Sequence, residues 1–331
     1  MQNEKLNVPI FDLSIVIPVF NAADTISILV EEVIHLNFKK NFEVILVNDG
    51  SSDNSAEICR NLTATKNIPI TLVDLTKNFG ENNAILAGMK EALGEYIITM
   101  ADDLQHSPKD IPKLFSVAYE NNFDVVYSDF EKKHYPWYRN LGSWFANATA
   151  TTVLGKPSSL YLSPFRCINQ TVVKQITKYI GPYPYIDGLI FQITGKVGKV
   201  KIPHHPRAKN RSNYTLMKLI SLWLNIFFNF SPLPMRACLF LGLICEIFAI
   251  SGIFIVLYDV LTYGRTVPGY ASLMIASLFF GGAQFIFLGF VGEYVSRTHI
   301  LVGGKPQFVV RNLMISSKKT VLNRQRLNIK K

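Results

Sequence analysis

Between Leu13 and Tyr127, apolar runs of strand length alternate with amphipathic stretches of helical period. Leu13-Ser-Ile-Val-Ile-Pro-Val19, Glu43-Val-Ile-Leu-Val-Asn48, Ile70 to Leu75, Tyr96 to Met100 and Phe123 to Tyr127 read as buried strands. Helical patterns run from Asp24 to about Leu36, from the turn Asp49-Gly-Ser-Ser-Asp-Asn-Ser onward, and from Glu81 to Leu93. Asn54 and Glu57 have capping-box spacing at the start of the second helix. This alternation predicts βαβ units and a mostly parallel α/β sheet. Ser163 to Ile168 and Val197 to Ile202 read as later strands.

After Ser128 the texture changes. Lys132, Lys133, His134, Trp137, Arg139 and Trp144 mix basic and aromatic residues in a predicted helix. Leu216 to Phe230 is amphipathic and aromatic, as expected of a helix in the plane of a membrane interface. From Ala237 to Leu257 the one charged residue is Glu246, and from Val267 to Gly292 there is none. Each run suits a bilayer-spanning helix of roughly 20 residues, and the short loop Tyr258 to Thr266 makes the pair a hairpin.

The 331 residues therefore divide into a catalytic-sized domain at 1–212, a juxtamembrane helix at 213–235, two spans within 236–296 (about 237–257 and 270–292), and a basic tail at 297–331. No Asp or Glu follows Glu293, whereas Arg297, Lys305, Arg311, Lys318 and Lys319 do. The positive-inside bias puts both chain ends and the domain on the cytoplasmic side of a multi-pass inner-membrane protein. The formal net charge of +10 is then a membrane-surface signal. The basic tail lacks interleaved aromatics, which argues against nucleic acid. Met1 to Pro9 has no apolar signal-peptide core. Cys59, Cys167, Cys238 and Cys245 have no CxxC spacing and read as free thiols of a reducing compartment.

The chemistry concentrates where the fourth strand ends, at Met100-Ala-Asp102-Asp103-Leu-Gln105-His-Ser-Pro108. Hard oxygen ligands at a strand's C-terminal edge suit a divalent cation bridging a nucleotide diphosphate. No GxGxxG follows the first strand, which excludes a dinucleotide-binding dehydrogenase. His204 and His205 are adjacent strand-type residues on opposite faces and do not form a zinc site.

Five stretches in order resemble the family 2 glycosyltransferases of GT-A fold, in the membrane-anchored branch of dolichyl-phosphate mannose synthases and bacterial polyprenyl-phosphate glycosyltransferases. They are Ser14-Ile-Val-Ile-Pro-Val-Phe-Asn21, Val47-Asn-Asp-Gly-Ser-Ser-Asp53, Asn78-Phe-Gly80, Asp102-Asp-Leu-Gln-His-Ser-Pro108, and His204-His-Pro-Arg207 through Ser212-Asn-Tyr214. The resemblance implies that Pro18, Phe20, Asn21 and Asp49 hold the nucleotide, with Asn78, Gly80 and Asp102 beside it. A turn role satisfying local amides is the alternative for Asp49. It implies Mg²⁺ or Mn²⁺ on Asp103 and Gln105, although Ala101 stands at the first position of the usual acidic pattern. Ala22 replaces a frequent Glu, and Asn213 a frequent Lys. Arg207 is expected near the diphosphate and Arg166 in the catalytic centre. Lys132, Lys133, Arg139, Arg211 and Ser212 are expected around a lipid phosphate.

The resemblance thus implies inverting transfer from a nucleotide sugar, UDP favoured over GDP, to a polyprenyl (undecaprenyl) phosphate at the cytoplasmic face, by a homo-oligomer that could be a tetramer. A phosphate monoester is already ionised at neutral pH and needs no general base. A hydroxyl of a lipid-linked oligosaccharide would need one, and Asp187 is the candidate, with a helix N-cap as its other reading. Pro164 stands where polyprenyl-phosphate enzymes often carry Asp. A non-catalytic membrane scaffold of the same fold is the remaining alternative.

Overall fold

A computed structural model describes residues 9–130, 151, 155–157, 160–181, 184–203, positions within 240–262, 269–304 and 306–320. Lys132, Lys133, Arg139, Arg207, Arg211, Ser212, Glu246 and the expected juxtamembrane helix lie outside the described residues.

The strands are β1 (Phe11–Val19), β2 (Phe42–Asn48), β3 (Ile70–Leu75), β4 (Gly94–Thr99), β5 (Val125–Phe130), β6 (Arg166–Asn169), β7 (Val197–Ile202) and β8 (Val310–Ile315). The helices are α1 (Ile26–Ile34), α2 (Ser55–Thr65), α3 (Glu81–Glu91), α4 (Ile111–Glu120), α5 (Gln170–Ile176), α6 (Ile186–Ile193) and α7 (Tyr270–Val302). The eight strands form one sheet in the order β7-β5-β6-β4-β1-β2-β3-β8. The β3-β2-β1-β4 half is parallel, as the alternating pattern predicts. β6 runs antiparallel between β4 and β5, and β8 antiparallel against β3, so the complete sheet is mixed.

The apolar runs are buried because helices cover both faces of the parallel half. Ile15, Ile17, Val44, Leu46, Leu72 and Ile98 join Leu29 and Val33 of α1 and Cys59 and Leu62 of α2 in one cluster. Gly88 of α3 lies over the opposite face, where an added Cβ would sit 2.5 Å from Val16 and 2.9 Å from Val47. Asn54 makes no side-chain cap; Asp53 takes that part by accepting from the Ser55 N–H at 3.0 Å.

The chain divides into two compact units, Met1–Leu216 with Pro306–Lys331, and Met217–Lys305. In the second unit, Phe279–Val302 is the one helix among the described residues long and apolar enough to span a bilayer. Leu273, Phe279, Phe285, Ile286 and Leu288 on α7 are exposed. Described positions between Phe240 and Thr262 are helical.

The stretch read as a basic tail is not all tail. The α7 helix continues to Val302, and residues 306–320 return to the first unit as β8 and a short cap. The Ser316 N–H donates to the Ile70 carbonyl at 2.9 Å, and Ser316 Oγ accepts from the Ile70 N–H at 3.0 Å. The Lys319 ammonium, 3% exposed, pairs with the fully buried Glu43 carboxylate.

Candidate active site

The order of the parallel strands reverses at β1, with β2 on one side and β4 on the other. Crevices form at such switch points, outside the strands' carboxyl ends. Pro18 opens this one. The β1–β4 ladder ends at Val16 with Thr99, and Met100 N–H donates to the Val16 carbonyl at 3.1 Å. Pro18 comes two residues later on the same side, where its missing N–H costs no ladder bond. Two residues further, the Phe20 N–H turns to Asp102 Oδ2 at 3.0 Å, tying the end of β1 to the acidic step. Phe20 itself is 44% exposed, an aromatic face at the mouth of the crevice.

Asn21 follows with φ 53°. Its Oδ1 accepts from the Ser52 N–H at 2.8 Å, and its own N–H donates to Ser51 Oγ at 3.1 Å. Ala22 N–H reaches Ser55 Oγ at 2.9 Å, and Ala23 N–H reaches Asp53 Oδ2 at 3.1 Å. The loops after β1 and β2 are therefore cross-linked. Burial raises the Asp53 carboxyl, but hydrogen bonds from Ser55 and Ala23 outweigh it and hold the group below the usual carboxylate range.

Asp49 is 3% exposed at the end of β2. Its Oδ1 accepts from Phe79 N–H at 2.7 Å and its Oδ2 from Gly80 N–H at 2.9 Å. Burial pushes its carboxyl up, and the two amides pull the other way. The amides that Asp49 satisfies are not those of its own turn but lie about thirty residues further along the chain, so it pins the Asn78-Phe-Gly80 loop. Asn78 Oδ1 accepts from the same Gly80 N–H at 3.0 Å. Gly80 has φ 92° at the start of α3. Gly50 has φ 62°, and a Cβ there would lie 2.3 Å from the Lys77 carbonyl carbon. Only glycine permits that approach.

Asp102 and Asp103 follow β4, both partly buried. Burial, then the neighbouring Asp103 charge, pushes Asp102 up to about 6, although the Phe20 N–H pulls it down. Asp103 Oδ1 accepts from the Gln105 N–H at 3.1 Å, and Leu104 between them has φ 60°. Among the described residues, no group of three His, Cys, Asp or Glu side chains could hold a metal ion by itself. The donor set fits a small hard cation that takes one or two carboxylates here and its remaining oxygens from a diphosphate and water.

On the β6 side, Arg166 and Asp187 are brought together, but as an ion pair inside the protein. Arg166 is 2% exposed, and its Nη1 donates to Asp187 Oδ1. The Tyr127 hydroxyl donates to the same oxygen at 2.8 Å. Burial alone would lower Arg166, but Asp187 outweighs it and raises the guanidinium. Asp187 lies in the first turn of α6 and makes no N-cap, the cap position being Tyr185.

The structure thus gathers Pro18, Phe20, Asn21, Asp49, Asn78, Gly80, Asp102, Asp103 and Gln105 along the ends of β1, β2, β3 and β4. Tyr127 and His106 were not singled out from the sequence. Tyr127 ends an apolar strand run with a polar group. His106 is 2% exposed and stacks on Phe165, ring centroids 5.1 Å apart. The signal for each was a polar tip on a ring inside a run otherwise read as core or loop.

The family model for glycosyl transferase family 2 matches residues 14–176. An undecaprenyl-phosphate 4-deoxy-4-formamido-L-arabinose transferase of Edwardsiella ictaluri is 30% identical over 91% of this chain and 94% of its own length. The Proteus mirabilis protein of the same name is 28% identical over 94% and 95%. A glucosyl-3-phosphoglycerate synthase from Mycobacterium tuberculosis, solved with Mn²⁺, UDP-glucose and phosphoglyceric acid, superposes with a TM-score of 0.51 at 14% identity. That match covers 66% of this chain and 78% of the other, and shows the shared GT-A-like fold. With the acidic step at the switch point, these similarities make the chain a glycosyltransferase, and it belongs to glycosyl transferase family 2.

Proposed function

We propose that the protein transfers a sugar, with inversion, from a nucleotide diphosphate sugar to a polyprenyl phosphate at the cytoplasmic face of a membrane. The donor nucleotide is UDP rather than GDP, since the exposed Phe20 ring suits a small pyrimidine. Relatives named for undecaprenyl phosphate support the acceptor. The observation that carries the reading is the charge layout. Carboxylates mark the switch-point edge, but from Lys132 to Cys245 the one acidic residue is Asp187. That carboxylate is already neutralised inside the fold by Arg166. The acceptor half of the chain is therefore suited to an anion.

The reaction then needs alignment more than proton removal. An acceptor phosphate oxygen attacks the anomeric carbon. The bond from that carbon to the diphosphate oxygen breaks, and the nucleoside diphosphate leaves with the electron pair. Asp103 and Gln105 would hold Mg²⁺ or Mn²⁺, which when bound supplies positive charge to the diphosphate. Asp49 fixes the Asn78–Gly80 loop beneath the donor, and Phe20 offers the base a ring. Arg207 would meet the diphosphate, while Lys132, Lys133, Arg139, Arg211 and Ser212 would meet the lipid phosphate. A membrane anchor in the C-terminal part of the chain would tether the catalytic domain to the bilayer that holds the acceptor, which raises the acceptor's effective concentration.

The test is incubation of membranes containing the protein with undecaprenyl phosphate and radiolabelled UDP- and GDP-sugars. Nucleotide-linked 4-deoxy-4-formamido-L-arabinose belongs in the donor panel. A mild-acid-labile lipid product that depends on both substrates is expected. Transfer only to lipid-linked saccharide, or no transfer with any donor, would overturn the reading.

A further inference from the structure

We propose that Tyr127 and Asp187 are positioning residues that hold Arg166 at the first position of β6, and through Phe165 and His106 set the Asp102–Gln105 step against the diphosphate. This rests on the reading of that step as the donor's diphosphate site.

The chain of contacts is continuous. Arg166 pairs in register with Thr99 of β4 and with Tyr127 of β5. Its guanidinium and the Tyr127 hydroxyl both donate to one oxygen of the Asp187 carboxylate. Phe191 of α6 stacks on Tyr127, ring planes 2° apart, so α6 packs over the cluster it supplies with Asp187. The residues just before Arg166 are clamped to the site edge. Thr99 Oγ1 donates to the Pro164 carbonyl at 2.6 Å, and the Ser128 N–H donates to the Phe165 carbonyl at 3.1 Å. Phe165 is fully buried with its ring stacked on His106.

His106 lies two residues beyond Leu104, whose φ of 60° is costly for a residue with a Cβ. Such a backbone persists only where its surroundings over-determine it. The Phe165–His106 stack supplies that constraint on one side of Leu104, and the Phe20–Asp102 hydrogen bond supplies it on the other. Loosening Arg166 therefore loosens the corner that carries Asp103.

The same geometry opposes a general-base role for Asp187. The groups facing it are Tyr127 from β5 and Arg166 from β6, and Tyr185 at the start of the same helix interacts electrostatically with both of them. Protonating Asp187 would leave the Arg166 cation without its counter-ion inside the protein. Burial and the Asp187 charge hold the Tyr127 hydroxyl far above the usual phenol range, so it stays a donor.

The test is calorimetric titration of the purified full-length protein with UDP in the presence of Mn²⁺, alongside thermal melts and pH profiles of turnover. Wild type binding Mn²⁺·UDP establishes the donor site. Tyr127→Phe keeps the ring and the ion pair, and is expected to weaken Mn²⁺·UDP about fivefold or more while still melting cooperatively. Asp187→Asn is expected to weaken it further and leave the acid limb of the pH profile in place. Affinities equal to wild type in both variants would overturn the proposal, as would loss of the acid limb in Asp187→Asn with donor binding intact. If Asp187→Asn fails to fold, Tyr127→Phe decides alone, and unchanged affinity overturns it. A wild type that binds neither Mn²⁺·UDP nor Mn²⁺·GDP would instead refute the donor site itself, and the proposal with it.

Discussion

The backbone N–H of Phe20 donates to Asp102 Oδ2 at 3.0 Å and joins the ends of β1 and β4, where the sheet's strand order reverses. Asp102 holds that position against its own solvation, since burial pushes its carboxyl up to about 6. A carboxyl raised in the folded state binds more protons there than in the unfolded chain. Its stabilising contribution is complete below the ordinary value of 3.8 and is lost as the pH climbs through about 6. Asp102→Asn keeps an acceptor for Phe20 and removes the charge. The variant should be more stable than wild type at pH 7.5 by about 1–2 kcal/mol in chelator, the gain shrinking toward pH 4. Urea unfolding across that range checks it, with a fall in turnover expected alongside.

Asp103 contributes charge as well as an acceptor for the Gln105 N–H. Asp103→Asn should preserve that local bond and the fold, yet lower turnover about a hundredfold or more by weakening the metal-bound diphosphate. Assay in vesicles with added Mn²⁺, with and without chelator, measures it. Full turnover of Asp103→Asn in chelator would contradict the metal role.

Gly50 lets the β2 turn pack against the backbone of Lys77 and Asn78. Gly50→Ala puts a methyl within the van der Waals radius of that backbone and penalises a positive φ. We expect a loss of about 2 kcal/mol or more in stability. Nucleotide affinity should fall with it, because Asp49 then releases the Asn78–Gly80 loop. Thermal melts and Mn²⁺·UDP titration on the same sample separate the two effects.

Lys319 and Glu43 meet at 2.5 Å, almost wholly out of water. Glu43 also accepts from Ser14 Oγ at 2.6 Å and from the Leu93 N–H at 2.7 Å. Lys319→Met strands a buried carboxylate and should cost about 3–5 kcal/mol, while adding Glu43→Gln to it should recover most of that loss. Proteolysis after residue 305 should likewise be faster in the single variant than in the double. Equal stability of wild type and Lys319→Met would show that the C-terminal strand is held by β8 pairing alone.

Several elements are legible in the sequence itself. β3 and β7 match their predicted spans residue for residue, and β1, β2 and β4 differ by a residue or two at their ends. Continuous apolar runs between turn residues leave little choice of conformation. β8 is not legible in the sequence, because Val310-Arg-Asn-Leu-Met-Ile315 carries mixed polarity and sits in a basic stretch. It is a strand only because β3 offers an unpaired edge. The Asp102–Gln105 step was legible, since charged residues abruptly follow a buried run.

Local pattern and motif order determined by themselves the strand–helix alternation, the apolar runs beyond Ala237 and the acidic step after β4, because each depends on neighbours a few residues apart. Tertiary structure alone decided that Asp49 grips the Asn78–Gly80 loop, that Asp187 is the counter-ion of Arg166, and that Lys319 closes on Glu43. A carboxylate takes its role from whichever donor the fold brings within about 3 Å. That donor can lie hundreds of residues away in the chain, where no periodicity reaches.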